Sequence, residues 1–320
     1  MKYESKDAAS HHKKLKFIYD ITQEYYNKFI DPKTGKFDEK YTQLRSCPVC
    51  ESKIYINLFQ CSGGEYVKCN ECTLVYLNPV FTKEALEKFN RERHGGHAEA
   101  EIQSDFLSEI YNLGLDDIEK KCLGKNILDI GCSTGVFLDF ASKRKWITTG
   151  IELGNKDSEI AKSKGHEIHN SELDKLEFKE RFDAITLWDV FEHIPDGKEY
   201  LKLIHNNLKE NGFLFLQVPS SDSLAAKIMR EKCRAFDGIE HVNMFNPKTL
   251  TMILEDSGFE IKGMTSVISE IAVLNNFLSY EDPYYGESSF GEDLCDSINA
   301  DLIHKNFLGY KIQCIAKKII

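Results

Sequence analysis

The sequence predicts an α/β protein built on a doubly wound parallel sheet, with a small cysteine-bound module in front of it, and three observations carry that reading. From residue 126 onward, short apolar runs alternate with amphipathic stretches, the order that stacks helices on both faces of a parallel sheet. The first run, Asn126 to Ile130, feeds directly into Gly131-Cys-Ser-Thr-Gly135 and then into an apolar helix start, giving a strand, a tight glycine turn and a helix. Ahead of it, Cys47-Pro-Val-Cys50 and Cys69-Asn-Glu-Cys72 form two C-x-x-C pairs separated by eighteen residues.

Composition narrows the classes. At 320 residues the chain exceeds one average domain, and 42% hydrophobic residues suffice for a sizeable core. A net charge of −10 and a pI near 5.6 argue against a polyanionic partner held by a general basic surface. The opening Met-Lys-Tyr-Glu-Ser-Lys-Asp is charged and lacks the apolar centre of a secretory leader, and no apolar run is long enough to cross a bilayer. A cytoplasmic protein without a membrane partner is the expectation, with the ten cysteines as thiols, some of them binding metal.

In chain order, residues 13–30 place Leu15, Phe17, Ile18, Ile21, Tyr25, Phe29 and Ile30 at helical spacing, and Asp31-Pro32 ends that arm. The two knuckles then put Cys47, Cys50, Cys69 and Cys72 around one tetrahedral zinc, with strands at Lys53–Phe59 and Glu65–Lys68 joined by Ser62-Gly63-Gly64, the outline of a zinc ribbon. Four thiolates fill the coordination shell, so the metal is structural, and Cys61 in the turn is not expected as a ligand. The ribbon carries Lys53 and Lys68 against Glu51, Glu65 and Glu71, which does not favour nucleic acid. Residues 83–121 read as polar helices broken at His94-Gly-Gly-His97. The expected divisions are a helical arm over 1–46, the ribbon over 47–80, a helical cover over 81–121 and the α/β domain over 122–320.

Within the last of these, strands are expected at 126–130, 147–152, 166–169, 182–188 and 212–218, and helices at 135–144, 155–164, 197–209 and 247–257. Residues 219–245 form a connection long enough to suggest a function. Runs at 259–269 and 310–318 supply an antiparallel edge, and three tyrosines lie in Tyr280-Glu-Asp-Pro-Tyr-Tyr-Gly286, suited to substrate contact or to surface cover.

The glycine turn admits three readings. A dinucleotide site wants a third glycine, but Val136, Phe137 and Leu138 follow Gly135. Gly131 to Gly135 also matches the G-x-S-x-G elbow of hydrolases, but neither the earlier strands nor an oxyanion loop is present. The third reading uses Asp129 just ahead of the first glycine and Glu152 at the end of the next strand. Two anions there repel phosphate and suit a ligand with an ammonium group and two ribose hydroxyls.

Here the chain resembles the class I S-adenosylmethionine-dependent methyltransferases, over residues 120 to 265. Asp129-Ile-Gly-Cys-Ser-Thr-Gly135 resembles their first motif, Gly150-Ile-Glu152 their second, and Phe182 to Asp196 their fourth strand and its turn, in the family's order and spacing. The resemblance implies a Rossmann-like, doubly wound seven-stranded sheet. It also implies a cofactor site of Asp129, Gly131, Cys132, Ser133, Gly135, Glu152, Leu153, Ser171, Glu172, Trp188 and Asp189, with Ser133 standing where the family more often has glycine. At its front, the ribbon ahead of such a domain resembles bacterial methyltransferases of nucleotide-linked deoxysugars, which implies a sugar or sugar-nucleotide acceptor.

Methyl transfer to a hydroxyl needs alignment and removal of a proton, for which histidine is best matched near neutral pH. His193, in Glu192-His-Ile-Pro-Asp196, and His241, in Gly238-Ile-Glu-His-Val-Asn243, follow the fourth and fifth strands and face the same end of the sheet. The sugar C-methyltransferases that the chain resembles carry a Glu-His pair matching Glu240 and His241 as the proposed base. Here Gly238 replaces their associated tyrosine and no additional C-terminal domain follows, so O-methylation is the expectation. The contrasting expectation is a ribbon that reads RNA or a protein, with a core that methylates that macromolecule or has lost activity. Oligomeric state is not specified by any of these features.

Overall fold

The computed structural model describes Lys16, Asp20 and residues 24–86, 96–286, 298 and 300–319, with 96–107 described as backbone alone. In chain order its strands are β1 (Thr42–Gln43), β2 (Tyr55–Cys61), β3 (Gly64–Cys69), β4 (Val75–Leu77), β5 (Val80–Phe81), β6 (Asn126–Ile130), β7 (Ile147–Ile151), β8 (Glu167–His169), β9 (Phe182–Trp188), β10 (Leu208–Pro219), β11 (Asn243–Met244), β12 (Phe259–Val267) and β13 (Lys311–Lys318). The helices are α1 (Gly96–Glu119), α2 (Val136–Lys143), α3 (Asn155–Ser163), α4 (Gly197–Asn207), α5 (Leu224–Met229), α6 (Pro247–Asp256), α7 (Ile271–Leu278) and α8 (Ala300–Lys305).

Seven strands form the central sheet in the order β12-β13-β10-β9-β6-β7-β8. Pairing from β8 through β10 is parallel, and β13 inserts antiparallel between β10 and β12. Strand β6 pairs with β7 on one side and β9 on the other, so strand order reverses there, and the glycine turn lies at the carboxyl end of β6. That is where ligands bind in open parallel sheets. The apolar runs of β6 and β9 are buried because helices cover both faces. One layer packs Ile110, Leu115 and Ile118 of α1 and Phe137 and Leu138 of α2 on Ile127, Ala184 and Phe215. The opposite layer packs Leu201 and Ile204 of α4 and Leu250, Ile253 and Leu254 of α6 on Leu128, Ile185, Leu214 and Leu216.

The expected strands and helices of the core recur within a few residues of their predicted ends. The largest departure is β10, which starts at Leu208 because that residue pairs with Phe182 before a register shift near Asn211, whose φ is +63°. The break expected at 94–97 lies partly outside the described residues, and α1 begins at Gly96. Most of the expected arm helix likewise lies outside them. Its described end, Tyr26 and Phe29, packs with Phe37, Phe81 and Ile239.

The front module does not stand alone. The β2–β3 hairpin and β4 form a four-stranded sheet whose last member, β11, comes from the connection after β10. Cys47, Val49, Cys69, Cys72, Leu74 and Tyr76 share one continuous core with Leu128, Phe191 and Phe245 of the α/β domain. The hairpin and the connection meet backbone to backbone: a Cβ added to Gly64 would lie 1.9 Å from the Gly238 carbonyl oxygen, and one added to Gly238, at φ +85°, would lie 2.0 Å from the Cys61 carbonyl oxygen. The Gly64 backbone cannot retreat without breaking its pairing with Cys61. Gly64→Ala is therefore expected to destabilise the protein by about 2 kcal/mol or more, visible as a clear drop in melting temperature. An unchanged melt would show that the two modules are not in this contact.

Candidate functional site

The turn after β6 is held by paired backbone bonds. The Gly131 and Cys132 amides both donate to the Ile151 carbonyl, at 2.8 and 3.0 Å, and tie the end of β6 to the end of β7. Gly131 and Gly135 take φ values of +74° and +78°, and Ser133 accepts the left-handed region at +48°. A Cβ on Gly131 would lie 2.5 Å from Val190 Cγ2. Cys132 is buried beneath the turn, and burial pushes its thiol pKa up.

Two carboxylates flank this turn. Glu152 accepts from the Ser133 amide at 2.9 Å and the Gly154 amide at 2.6 Å, and its carbonyl accepts from Asn170 Nδ2 at 2.7 Å. Asp129 is buried and accepts from Thr186 Oγ1 at 2.6 Å; burial, against that hydrogen bond, pushes its pKa up to about 8. The cradle is open backbone lined by acid, which fits a ligand with hydroxyls and an ammonium group and disfavours phosphate. Leu153 is half exposed beside it. Ser171 and Glu172 follow β8, and Glu172 pairs with Lys175 at 2.9 Å, which holds its carboxyl below the usual range.

At the end of β9 the predicted residues part company. Trp188 turns into the core against Tyr111, Phe137 and Phe215, beneath Gly114 of α1. Asp189 has a φ of +55° and accepts from Gln217 Nε2 at 3.0 Å and Lys311 Nζ at 2.6 Å, while its Oδ1 is buried with no hydrogen-bond partner among the described residues. Nearby, Glu270 is buried at φ +54° with neither carboxyl oxygen hydrogen-bonded among the described residues. Burial pushes its pKa up to about 8 against the pull of Lys311 and Arg234.

The turn after β9 meets the connection after β10 at two histidines. The His193 and His241 rings stand edge to face at 4.9 Å. His241 Nδ1 lies 2.8 Å from the Ala235 carbonyl, which only accepts, so Nδ1 carries the proton and Nε2 of the neutral ring is left as acceptor. Burial alone would lower the His241 pKa, but Asp237, Glu192, the Ala235 carbonyl and Glu240 outweigh it and raise it above 6.5. Glu192 is fully buried, neither carboxyl oxygen has a hydrogen-bond partner among the described residues, and its Oε1 lies 3.8 Å from His193 Nε2 and 3.9 Å from His241 Nε2. Burial, with Asp189 nearby, pushes its pKa up to about 8. Glu240 points the other way, accepting from Tyr26 Oη at 3.0 Å. Asp237 shapes the loop by accepting the amides of Ile239, Glu240 and His241.

Glu192 and Asp237 escape a reading of the sequence, since each matters through neighbours that only the fold supplies. The three tyrosines of the 280–286 loop also divide: Tyr280 is fully exposed, whereas Tyr284 and Tyr285 receive the Arg234 amide and guanidinium. A cavity of about 930 Å³ lies apart, between residues 31–44 and the hairpin, and holds none of the predicted site residues.

The four knuckle cysteines converge. Their sulfurs all lie within 4.8 Å of one another, with Cys47–Cys72 and Cys50–Cys69 at 3.5 Å. Metal–sulfur bonds of about 2.3 Å in a tetrahedron require sulfurs about 3.8 Å apart, so the set fits. The knuckles are alike in backbone: Glu51 and Thr73 take φ values of +62° and +76°, and their amides bond back to the carbonyls of Cys47 and Cys69. The hydrogen bond from the Cys72 sulfur holds the Cys47 thiol below its usual pKa. Cys61 stays outside the cluster, its thiol donating to the Phe236 carbonyl at 3.0 Å.

A family model described as a methyltransferase domain matches residues 100–262, half of the chain. The chain belongs to the methyltransferase-domain family. The ubiquinone biosynthesis O-methyltransferase of Nitrosospira multiformis is 30% identical over 142 residues, 41% of this chain and 58% of that protein. Its namesake from Aeromonas salmonicida is 25% identical over 178 residues, covering 50% and 75%. The chain spans about half the length of several such relatives, 46% for the Shewanella protein. A chain from the complex between the Haloferax volcanii Trm112 methyltransferase activator and a methyltransferase shares the fold, with a TM-score of 0.50 at 13% identity, covering 71% of this chain and 99% of that one. The match to this methyltransferase family begins beyond the cysteine cluster, so it leaves the front module undescribed.

The buried carboxyls of this methyltransferase domain make stability depend on pH. Because the folded pKa of Glu270 lies far above its unfolded value of 4.5, the neutral acid is compatible with the fold below that value, and stability is lost as pH rises through about 8. Glu270→Gln is expected to be more stable than wild type at about pH 8, with the difference in melting temperature shrinking towards about pH 5. A pH-independent difference would show that this carboxyl is not buried as described.

Proposed function

We propose that the chain is an S-adenosylmethionine-dependent O-methyltransferase acting on a hydroxyl of a small molecule, and that this acceptor is a sugar or sugar nucleotide. The observation that carries the reading is the convergence, at one end of the sheet, of the acid-lined glycine turn and a histidine with a fixed tautomer. The names of the curated relatives support transfer to oxygen. The sugar assignment rests on the resemblance at the front of the chain and on the ribbon's acidic balance, which also gives no support to an RNA partner.

When bound, the cofactor supplies an activated methyl group on a sulfonium. Asp129, Gly131, Cys132, Ser133, Gly135 and Glu152 would hold it, with Glu152 facing the ribose hydroxyls, Ser171 and Glu172 beside the base, Leu153 and Asp189 closing the site, and Trp188, expected from the sequence as a contact, backing it from the core. The remaining work falls to the acceptor side. His241 Nε2 would take the proton of the acceptor hydroxyl, leaving its oxygen free to receive the methyl group. The Ala235 carbonyl keeps the ring in the tautomer that can do so, and Glu192 stabilises the imidazolium. His193 packs against that ring and Glu240 orients the loop. The Cys47, Cys50, Cys69 and Cys72 cluster holds a structural zinc.

Two expectations follow from these roles. Calorimetric titration with S-adenosylmethionine should saturate, and Glu152→Ala and Gly131→Ala should each weaken binding by about tenfold or more, at about 1.4 kcal/mol per tenfold; unaltered binding in both would remove the cofactor assignment. His241→Ala should lower the single-turnover rate by a factor of about 100 to 10,000 while cofactor affinity is retained. Since a base must be unprotonated, the wild-type rate should rise with pH along a limb centred above 6.5, where the raised His241 pKa lies. A near wild-type rate in His241→Ala would transfer the role to His193.

A further inference from the structure

One side chain, Arg45, which lies between the arm and the first knuckle, bonds the cysteine module to both loops of the methyl-transfer end. Its Nε donates to the Leu77 carbonyl of β4 at 3.1 Å and its Nη1 to the Pro195 carbonyl, in the turn after β9, also at 3.1 Å. Its Nη2 donates to the Val242 carbonyl at 2.6 Å and to Asn243 Oδ1 at 3.0 Å, both in the connection that carries His241. Asn243 completes the bridge by donating Nδ2 to the Ile194 carbonyl at 2.7 Å. One planar fork thus spans three chain segments, a geometry that lysine cannot reproduce. The backbone of Arg45 is itself fixed, since its amide and carbonyl pair with the side chain of Asn78 at 3.0 and 3.2 Å.

The acceptors in this set are carbonyl and amide oxygens, and no carboxylate among them balances the charge. Arg45 is half-buried, and withdrawing a guanidinium from water without a counter-charge is unfavourable. It stands two residues before Cys47 in the chain. The guanidinium carbon sits 5.3 Å from the centre of the Tyr76 ring, and Tyr76 packs in one core with Cys47, Cys69 and Cys72. Four thiolates around one divalent ion carry a net charge of about −2, so a loaded cluster would be the missing counter-charge.

We propose that the four-cysteine centre is a positioning device for methyl transfer: it holds Arg45 as its counter-ion, and Arg45 holds the His241 loop against the turn that carries Glu192 and His193. The β4–β11 pairing, the Leu77 amide bonded to the Val242 carbonyl at 3.0 Å, and Tyr66 Oη bonded to the His241 carbonyl at 3.0 Å make the same connection through backbone. The front module is then part of the active end of the enzyme, and Arg45 is a positioning residue. The inference rests on the assignment of His241 to the acceptor side, but its test needs neither acceptor nor turnover.

The test compares the full chain as purified, the full chain stripped by chelator, Arg45→Met and Arg45→Lys. Zinc content, amide hydrogen exchange and histidine nitrogen NMR are measured on each, together with affinity for S-adenosylmethionine. The expected result for Arg45→Met is one zinc per chain, retained cofactor affinity, and exchange about tenfold faster or more at residues 190–196 and 237–244, with β6 and β7 unchanged. Its His241 resonances should move from a single Nδ1-protonated form to an average of both tautomers. The stripped chain should show the same local loosening, and Arg45→Lys should fall between. Unchanged exchange and an unchanged His241 signature in Arg45→Met with zinc retained would overturn the proposal, as would loosening spread evenly over the sheet. If the coupling is found and His241→Ala still turns over normally, the general-base reading fails by itself.

Discussion

A half-buried guanidinium bonded to oxygens of three chain segments is the constraint on which the arrangement of this protein turns. The central sheet is covered by helices on both faces, and the cysteine module packs into the core on one of them. The connection after β10 is different. It is long, it carries His241, and its two-residue strand has its only ladder partner, among the described residues, in the cysteine module. Arg45 supplies the direction that backbone pairing alone lacks, tying the connection back to the turn after β9. The close approach at Gly64 and Gly238 belongs to the same join, since side chains there would hold the two backbones apart.

The electrostatics of the methyl-transfer end follow from the same packing. Asp129, Glu192 and Glu270 are all buried near the carboxyl ends of the strands, and each is pushed towards neutrality by lack of water. Lys311 and Arg234 offset only part of this. Clustered carboxyls short of donors suit a site that receives hydroxyl and ammonium groups from its ligands. His241 is raised, against its burial, by a different set led by Asp237, with Glu192, the Ala235 carbonyl and Glu240.

Much of the fold was legible in the sequence because parallel strands buried on both faces leave apolar runs that end sharply at turns. Asn126–Ile130 and Phe182–Trp188 are such runs and were placed to the residue. The glycine turn and the cysteine knuckles were legible because each needs particular residue types at fixed spacing. What was not legible depends on distance in sequence. Asn243–Met244 is too short to show any period, and its partner β4 lies far upstream. Arg45 looks like any surface arginine ahead of a knuckle, and Glu192 gains its setting only when His241 is brought beside it. Trp188 and Asp189 are neighbours in sequence, yet strand alternation sends one ring into the core and leaves the next carboxylate at the strand end.

The central claim is that the acid-lined turn and His241 face one another across the transferred methyl group. A crystal structure of the full chain with S-adenosylhomocysteine tests it most directly. The account predicts the ribose against Glu152 and the thioether sulfur turned towards His241 Nε2, with room for one hydroxyl between them. A sulfur directed away from the His241 loop, or an adenosyl group bound elsewhere on the sheet, would contradict it.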